Sequence, residues 1–271
     1  MYRGRGGTGN RGSRGNPGEP LPGEPVSDAS ASDWSEKFRR GSAQKVMPRA
    51  NRIVIPGIPH HVTQRGNYRQ QVFFREGDRL FYLDLLAEFS NHYGVSIEAY
   101  CLMPNHVHLV LVPHGECSLP RLLQRIQSEY ARVLNLRLHR AGHLWQGRYY
   151  SVPMAEDHFA SAMVYVEQNP SRAGLVKGPA DWRWSSARGH LGMRNDPLLN
   201  LVRWRSSFTS ASWKSCLELG LRDGLLLERI REATLTGRPF GGEDFLQRLE
   251  DQFGKKVRPG GPGRRAAQGA L

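Results

Sequence analysis

The stretch Met103-Pro104-Asn105-His106-Val107-His108-Leu109-Val110-Leu111-Val112 reads as a turn leading into a strand that opens with two histidines one residue apart. Side chains alternate faces along a strand, so His106 and His108 share one face while Val107 takes the other. Two imidazoles about 7 Å apart on one rigid element can share a metal ion. The strand continues in pure aliphatics, which puts the pair at the mouth of a buried sheet. A histidine pair in a strand can also be structural. Asn105 and the turn beside it favour a site.

The surrounding pattern sets the architecture. Arg52 to Ile55 is an entering segment, and His60 to Arg65 a first strand closed by Gly66-Asn67. Asp78 to about His92 carries Leu80, Phe81, Leu83, Leu85, Leu86 and Phe89 at helical spacing, ended by Gly94. Val95 to Met103 and His106 to Val112 are two strands joined at Pro104-Asn105. Ser118 is placed to cap a helix with Pro120 in its first turn, running until Ala141-Gly142. Tyr149 to Met154 is a further strand, and Glu156 to about Gln168 a helix stopped by Asn169-Pro170. The order strand, helix, strand, strand, helix, strand, helix predicts an α+β fold with an antiparallel sheet and helices on its faces. Residues 213–235 and 243–253 are expected to be helical.

Domain boundaries follow from composition. Residues 1–46 are rich in Gly, Arg, Ser and Pro without an apolar period and are expected to be disordered. Met47 is then the expected functional start, the preceding tail being dispensable or an Arg/Gly arm that grips nucleic acid. A domain is expected over 47–192 and a helical extension with a basic tail over 193–271. The tail carries five positive and no negative side chains from Lys255 onward.

With 38 Lys and Arg against 25 Asp and Glu, the formal charge is +13. This favours a polyanionic partner, most simply nucleic acid. Three cysteines without a CxxC pair argue against a disulfide scaffold or cysteine zinc site and suit a reducing cytoplasm. No apolar run approaches the roughly 20 residues of a membrane helix.

On the helix before Asn169, Phe159, Met163 and Val166 form one stripe, and His158, Ala162, Tyr165 and Asn169 the adjoining one. Tyr165 and Asn169 are four apart and face one direction. A tyrosine and an amide beside two histidines suggest a nucleophile and a third ligand. A phenol, with a pKa near 10, can attack a phosphodiester once a metal polarises the phosphate. The product is a phosphotyrosine and a free hydroxyl, so the step reverses and a strand can be rejoined elsewhere. Tyr130 is the rival tyrosine, but it sits on the core stripe with Leu123 and Ile126. His60 and His61 are adjacent, so at most one faces any site; they are read as strand residues.

Taken together, these residues resemble the single-tyrosine HUH (IS200-like) transposases, and within them the REP-associated tyrosine transposases of bacteria. The resemblance runs from about Ala50 to about Gly192. It is carried by Gly57-Ile58-Pro59-His60-His61-Val62 with Arg65-Gly66-Asn67, by Leu102 to Leu109, and by Leu144-Trp145-Gln146-Gly147-Arg148-Tyr149. Tyr165 to Val176 and Trp182-Arg183-Trp184-Ser185-Ser186-Ala187 complete it. The resemblance implies a ferredoxin-like sandwich, with Tyr165 as nucleophile and His106, His108 and Asn169 as ligands of Mg²⁺ or Mn²⁺. It implies single-stranded DNA hairpins, as in palindromic repeats, as substrate, a monomer or a homodimer exchanging the tyrosine helix, and a cytoplasmic, nucleoid-associated place in a bacterium. Arg65 and Arg148 accompany family motifs and are candidates for DNA phosphate contacts; Arg65 is expected on the same strand face as His61. Trp145 either stacks on an unpaired base or anchors a loop into the core. The alternative function is a domesticated protein that binds hairpins without cutting; a nuclease that uses water is a third.

Overall fold

The computed structural model describes residues 53–220, 224–254 and 257, all within one unit, Arg49–Leu271. The expected tail over 1–46, the start at Met47 and the charged residues of the basic end lie outside the described residues. The elements are β1 His60–Arg65, α1 Glu76–Tyr93, β2 Val95–Met103, β3 His106–Pro113, α2 Ser118–Arg137 and β4 Tyr150–Pro153. They continue with α3 Phe159–Glu167, α4 Asn169–Arg172, α5 Ala187–His190, α6 Val202–Arg205, α7 Ser210–Leu219, α8 Gly224–Thr236 and α9 Glu243–Phe253.

The four strands are antiparallel in the order β2-β3-β1-β4. A βαββαβ chain with β1 and β3 in the middle is the ferredoxin-like arrangement expected from the sequence. β2 turns directly into β3 at Pro104-Asn105, and helices α1 and α2 return the chain to β2 and β4 of the same sheet.

The sheet has two apolar faces. On one, Val62, Leu102, Val107, Leu109 and Leu111 pack against Tyr82, Leu86, Leu122, Ile126 and Tyr130 of α1 and α2. Tyr130 is fully buried, and its hydroxyl donates to the Val72 carbonyl at 2.6 Å, so it is a packing residue as its stripe predicted. On the other face, Cys101, Met103, Val110 and Val152 meet Phe159, Met163 and Val166 of α3. Trp213, Leu217, Ile230 and Phe240 belong to the same cluster. The boundary expected at residue 192 thus runs through one apolar core. Helix α3 lies between the sheet and the C-terminal helices and is buried around nearly its whole circumference.

Several local expectations are corrected. Cys117, not Ser118, precedes the first turn of α2; Ser118 lies inside it, and its hydroxyl accepts from the Gly115 amide at 3.1 Å. That helix ends at Arg137, before Ala141-Gly142. Residues Glu156–His158 form a 3₁₀ turn ahead of α3. Asn169-Pro170 does not stop the chain's helical course, because Pro170 falls in the first turn of α4, where a missing N–H costs nothing. The segment 213–235 is divided between α7 and α8.

His60 illustrates what burial does to a titratable group here. Its Nδ1 is 2.8 Å from the Ile58 carbonyl, and its Nε2 accepts from the Ile55 amide at 3.2 Å. Burial lowers its pKa to about 4, against weaker upward pulls from the backbone. The folded chain refuses a proton that the unfolded chain takes up below about pH 6.5. Stability from this group is therefore present above pH 6.5 and lost as the pH falls toward 4, by roughly 3 kcal/mol in all. Urea midpoints measured between pH 7 and pH 4 are expected to fall less steeply in His60→Gln than in the parent chain; parallel slopes would contradict this assignment.

Candidate active site

Register fixes which side chains meet. β1 pairs β3 with His61 opposite Val110, Thr63 opposite His108 and Arg65 opposite His106. Paired residues of antiparallel strands share a face, so His61, Thr63, Arg65, His106 and His108 all point toward the α3 side. Arg65 is exposed, and its charge helps to lower the His106 pKa, so it stands at the mouth of the histidine cluster.

Asn105 sets His106. Its side-chain amide donates to the Arg69 carbonyl at 3.1 Å, which turns its oxygen toward His106 Nδ1 at 2.6 Å. His106 therefore carries its proton on Nδ1 and leaves a lone pair on Nε2. The Asn105 carbonyl also accepts from the Gly66 amide at 2.9 Å. Gly66 is required by crowding: a Cβ there would lie 2.3 Å from the Gln70 carbonyl oxygen. This explains the glycine of Arg65-Gly66-Asn67.

His61, read from the sequence only as a strand residue, belongs to the site. Its ring lies edge to edge with that of His108, the planes 5° apart and the centroids 5.2 Å apart, and its Nε2 lies 3.0 Å from His108 Nδ1. Tyr165 stands edge-on to both rings, 5.6 Å from His61 and 5.7 Å from His108. The tyrosine and the histidines thus come together within one chain. Burial holds the His61 pKa near 3 and the His106 pKa near 4, and depresses that of His108 well below the usual range. Neighbouring cations, Arg172 for His61 and Arg65 for His106, push the same way. All three rings are neutral at pH 7, the form that can donate a lone pair to a metal.

Arg172 is a further member that the sequence reading passed over. It lies two helical turns after Tyr165. Its guanidinium carbon sits 4.2 Å from the Tyr165 ring centroid, and Nη2 donates to the Tyr165 carbonyl at 2.7 Å. Among the described residues, its Nη1 is buried without a hydrogen-bond partner, and the buried side-chain amide nitrogen of Asn169, one turn after Tyr165, likewise finds none. Among the described residues, no three His, Cys, Asp or Glu side chains are grouped to hold a metal. The two imidazoles offer lone pairs, whereas the unpaired atom of Asn169 is an N–H donor, and only its Oδ1 has a lone pair for a metal. Imidazole nitrogens by themselves favour borderline cations such as Zn²⁺; Mg²⁺ or Mn²⁺ calls for added oxygen ligands, such as those of a phosphate.

Two further predicted contacts are Trp145 and Arg148. Trp145 is buried, donates from Nε1 to the Gln127 carbonyl at 3.1 Å and packs on Tyr82 and Tyr130. Its position is that of the loop anchor, and stacking on a base would require it to leave the core. Arg148 is exposed on a cleft of about 600 Å³ lined by Gln124, Gln127 and Ser128 of α2; two residues before it, the Gln146 amide donates to the Arg65 carbonyl at 2.8 Å.

Behind Tyr165, on the opposite side of α3, Glu167 is fully buried. One carboxylate oxygen accepts from Ser186 Oγ at 2.5 Å and from His190 Nδ1 at 2.6 Å. The other accepts from Trp213 Nε1 at 2.9 Å.

Residues 55–169 match the family described as Transposase IS200 like, the one the chain's motifs resemble. Among solved structures, the chain is similar to a REP-associated tyrosine transposase bound to a REP hairpin, at 19% identity over 56% of this chain and 90% of that one, with a TM-score of 0.48. It is also similar to a protein of Deinococcus radiodurans assigned as a transposase, at 23% identity over 45% of this chain and 97% of that one, with a TM-score of 0.32. The comparison with curated proteins gives no match. Among the described residues, no helix is long and apolar enough to cross a membrane.

The Glu167 cluster is expected to hold Tyr165 in place. Glu167→Ala leaves His190 Nδ1 and Trp213 Nε1 unpaired, with Ser186 Oγ falling back on the Tyr100 carbonyl at 3.3 Å, and is expected to cost about 3–5 kcal/mol. Thermal or urea unfolding checks this, with Glu167→Gln falling between that variant and the parent.

Proposed function

We propose that the chain is a metal-dependent DNA strand transferase that cleaves and rejoins single-stranded hairpin DNA through Tyr165. The observation that carries this reading is Tyr165 standing edge-on to His61 and His108 with Arg172 over its ring. A protein that only binds DNA needs no such assembly.

Mg²⁺ or Mn²⁺, when bound by His106, His108 and Asn169, would polarise the scissile phosphate. The chain's own residues do the rest. Tyr165 Oη attacks phosphorus, losing its proton; the bond to the leaving sugar oxygen breaks, giving a phosphotyrosine and a free hydroxyl. Arg172 Nη1 has an N–H to offer to the equatorial phosphate oxygens as charge builds there. Arg65 at the mouth supplies a positive contact for the approaching backbone. The hairpin substrate follows the family resemblance, and the net charge of +13 suits it. Reversal with a different hydroxyl joins a new strand without loss of the phosphodiester's energy.

Incubation with labelled single-stranded palindromes flanking the gene, with Mg²⁺ or Mn²⁺, is expected to give a protein–DNA band on a denaturing gel. Tyr165→Phe keeps the ring and its packing and should abolish the band. Binding without any adduct would favour the domesticated hairpin binder, and cleavage that survives in Tyr165→Phe a nuclease that uses water.

A further inference from the structure

Helix α8, beyond the family match, reaches the histidine cluster through one hydroxyl. Thr234 Oγ1 lies 2.6 Å from the Ile230 carbonyl and 3.1 Å from His61 Nδ1. A hydroxyl has one proton, and a carbonyl can only accept. The proton is therefore committed to Ile230, and Thr234 Oγ1 accepts from His61 Nδ1–H. A neutral His61 then has its lone pair on Nε2, 3.0 Å from His108 Nδ1. His108 Nδ1 must supply the proton of that hydrogen bond, which leaves His108 Nε2 with a lone pair.

We propose that Thr234 and His61 are positioning residues that fix His108 in the tautomer able to ligate a metal through Nε2. This deepens, and rests on, the transferase reading above. The opposite tautomer would need Thr234 to turn its proton from Ile230 to His61, giving up its shorter hydrogen bond. It would also put a proton on His108 Nε2, where a ligand needs a lone pair. His106 reaches the same state separately, through Asn105. The two ligands are thus oriented by two distinct partners, one on the β2–β3 turn and one on a helix of the C-terminal extension. Such outer partners typically change metal affinity by about 10–100-fold.

The experiment uses the full chain with ¹⁵N-labelled histidine and Mn²⁺ alone as the metal probe. Long-range ¹H–¹⁵N spectra of the metal-free protein are expected to show His108 protonated on Nδ1 and bare on Nε2. Thr234→Val, close in shape but without the hydroxyl, is expected to lose this single tautomer. It should also weaken Mn²⁺ binding about 10-fold, followed by paramagnetic resonance of the free ion. Thr234→Ser is expected to restore both. A parent His108 protonated on Nε2, or Thr234→Val with parental Mn²⁺ affinity, would overturn the relay. The spectrum of the parent decides even if Thr234→Val does not fold. The two readings fail separately: adduct formation with a parental Thr234→Val sinks the relay alone. A relay seen in the spectra without any DNA adduct sinks the strand transfer alone.

Discussion

The carboxylate of Glu167 is the point on which the molecule turns. A fully buried carboxylate is tolerable only when donors surround it, and this one takes three, from a serine, a histidine and a tryptophan. Two donors come from one segment, Ser186 just before α5 and His190 at its end, and the third, Trp213, lies on α7. The tyrosine helix is therefore tied by its back to the C-terminal half of the chain, while its front faces the histidines. Removing any one partner leaves the others facing an unmet charge or an idle donor in the core, so the cluster favours one arrangement over its neighbours.

The two faces of the sheet divide the labour. One face is closed by α1 and α2 with aliphatics and tyrosines, and it carries the loop held by Trp145. The other keeps a polar patch at the end nearest the Pro104-Asn105 turn, where His61, Thr63, Arg65, His106 and His108 lie in register. The aliphatic remainder of that face supports α3. Helix α3 thus rests on ordinary packing at one end and meets the polar patch with Tyr165.

Much of this was legible in the sequence because it depends on local periodicity. Two-residue alternation put His106 and His108 on one face, and the 3.6-residue period put Tyr130 in the core. The element order was enough to give the antiparallel α+β sandwich. What was not legible depends on pairing between distant segments. His61 became a site residue only once β1 was set against β3, since its own neighbours cannot say which of two adjacent histidines faces inward. Thr234 lies 173 residues from its partner, in a region without any motif. Arg172 lies within the stretch Tyr165 to Val176, but its reach back over two turns to Tyr165 is a matter of side-chain conformation. Trp145 and Arg148 are close in sequence, yet one is core and the other surface, a distinction that composition alone does not draw.

The burial of α3 on all sides has a mechanical consequence. To swing Tyr165 away from the histidines, the helix would have to uncover Phe159, Met163 and Val166 together with the Glu167 cluster, a change comparable to opening the domain. The tyrosine behaves as a stator. In the strand transfer proposed above, movement would then fall to the nucleic acid, the rotor past a fixed phenol.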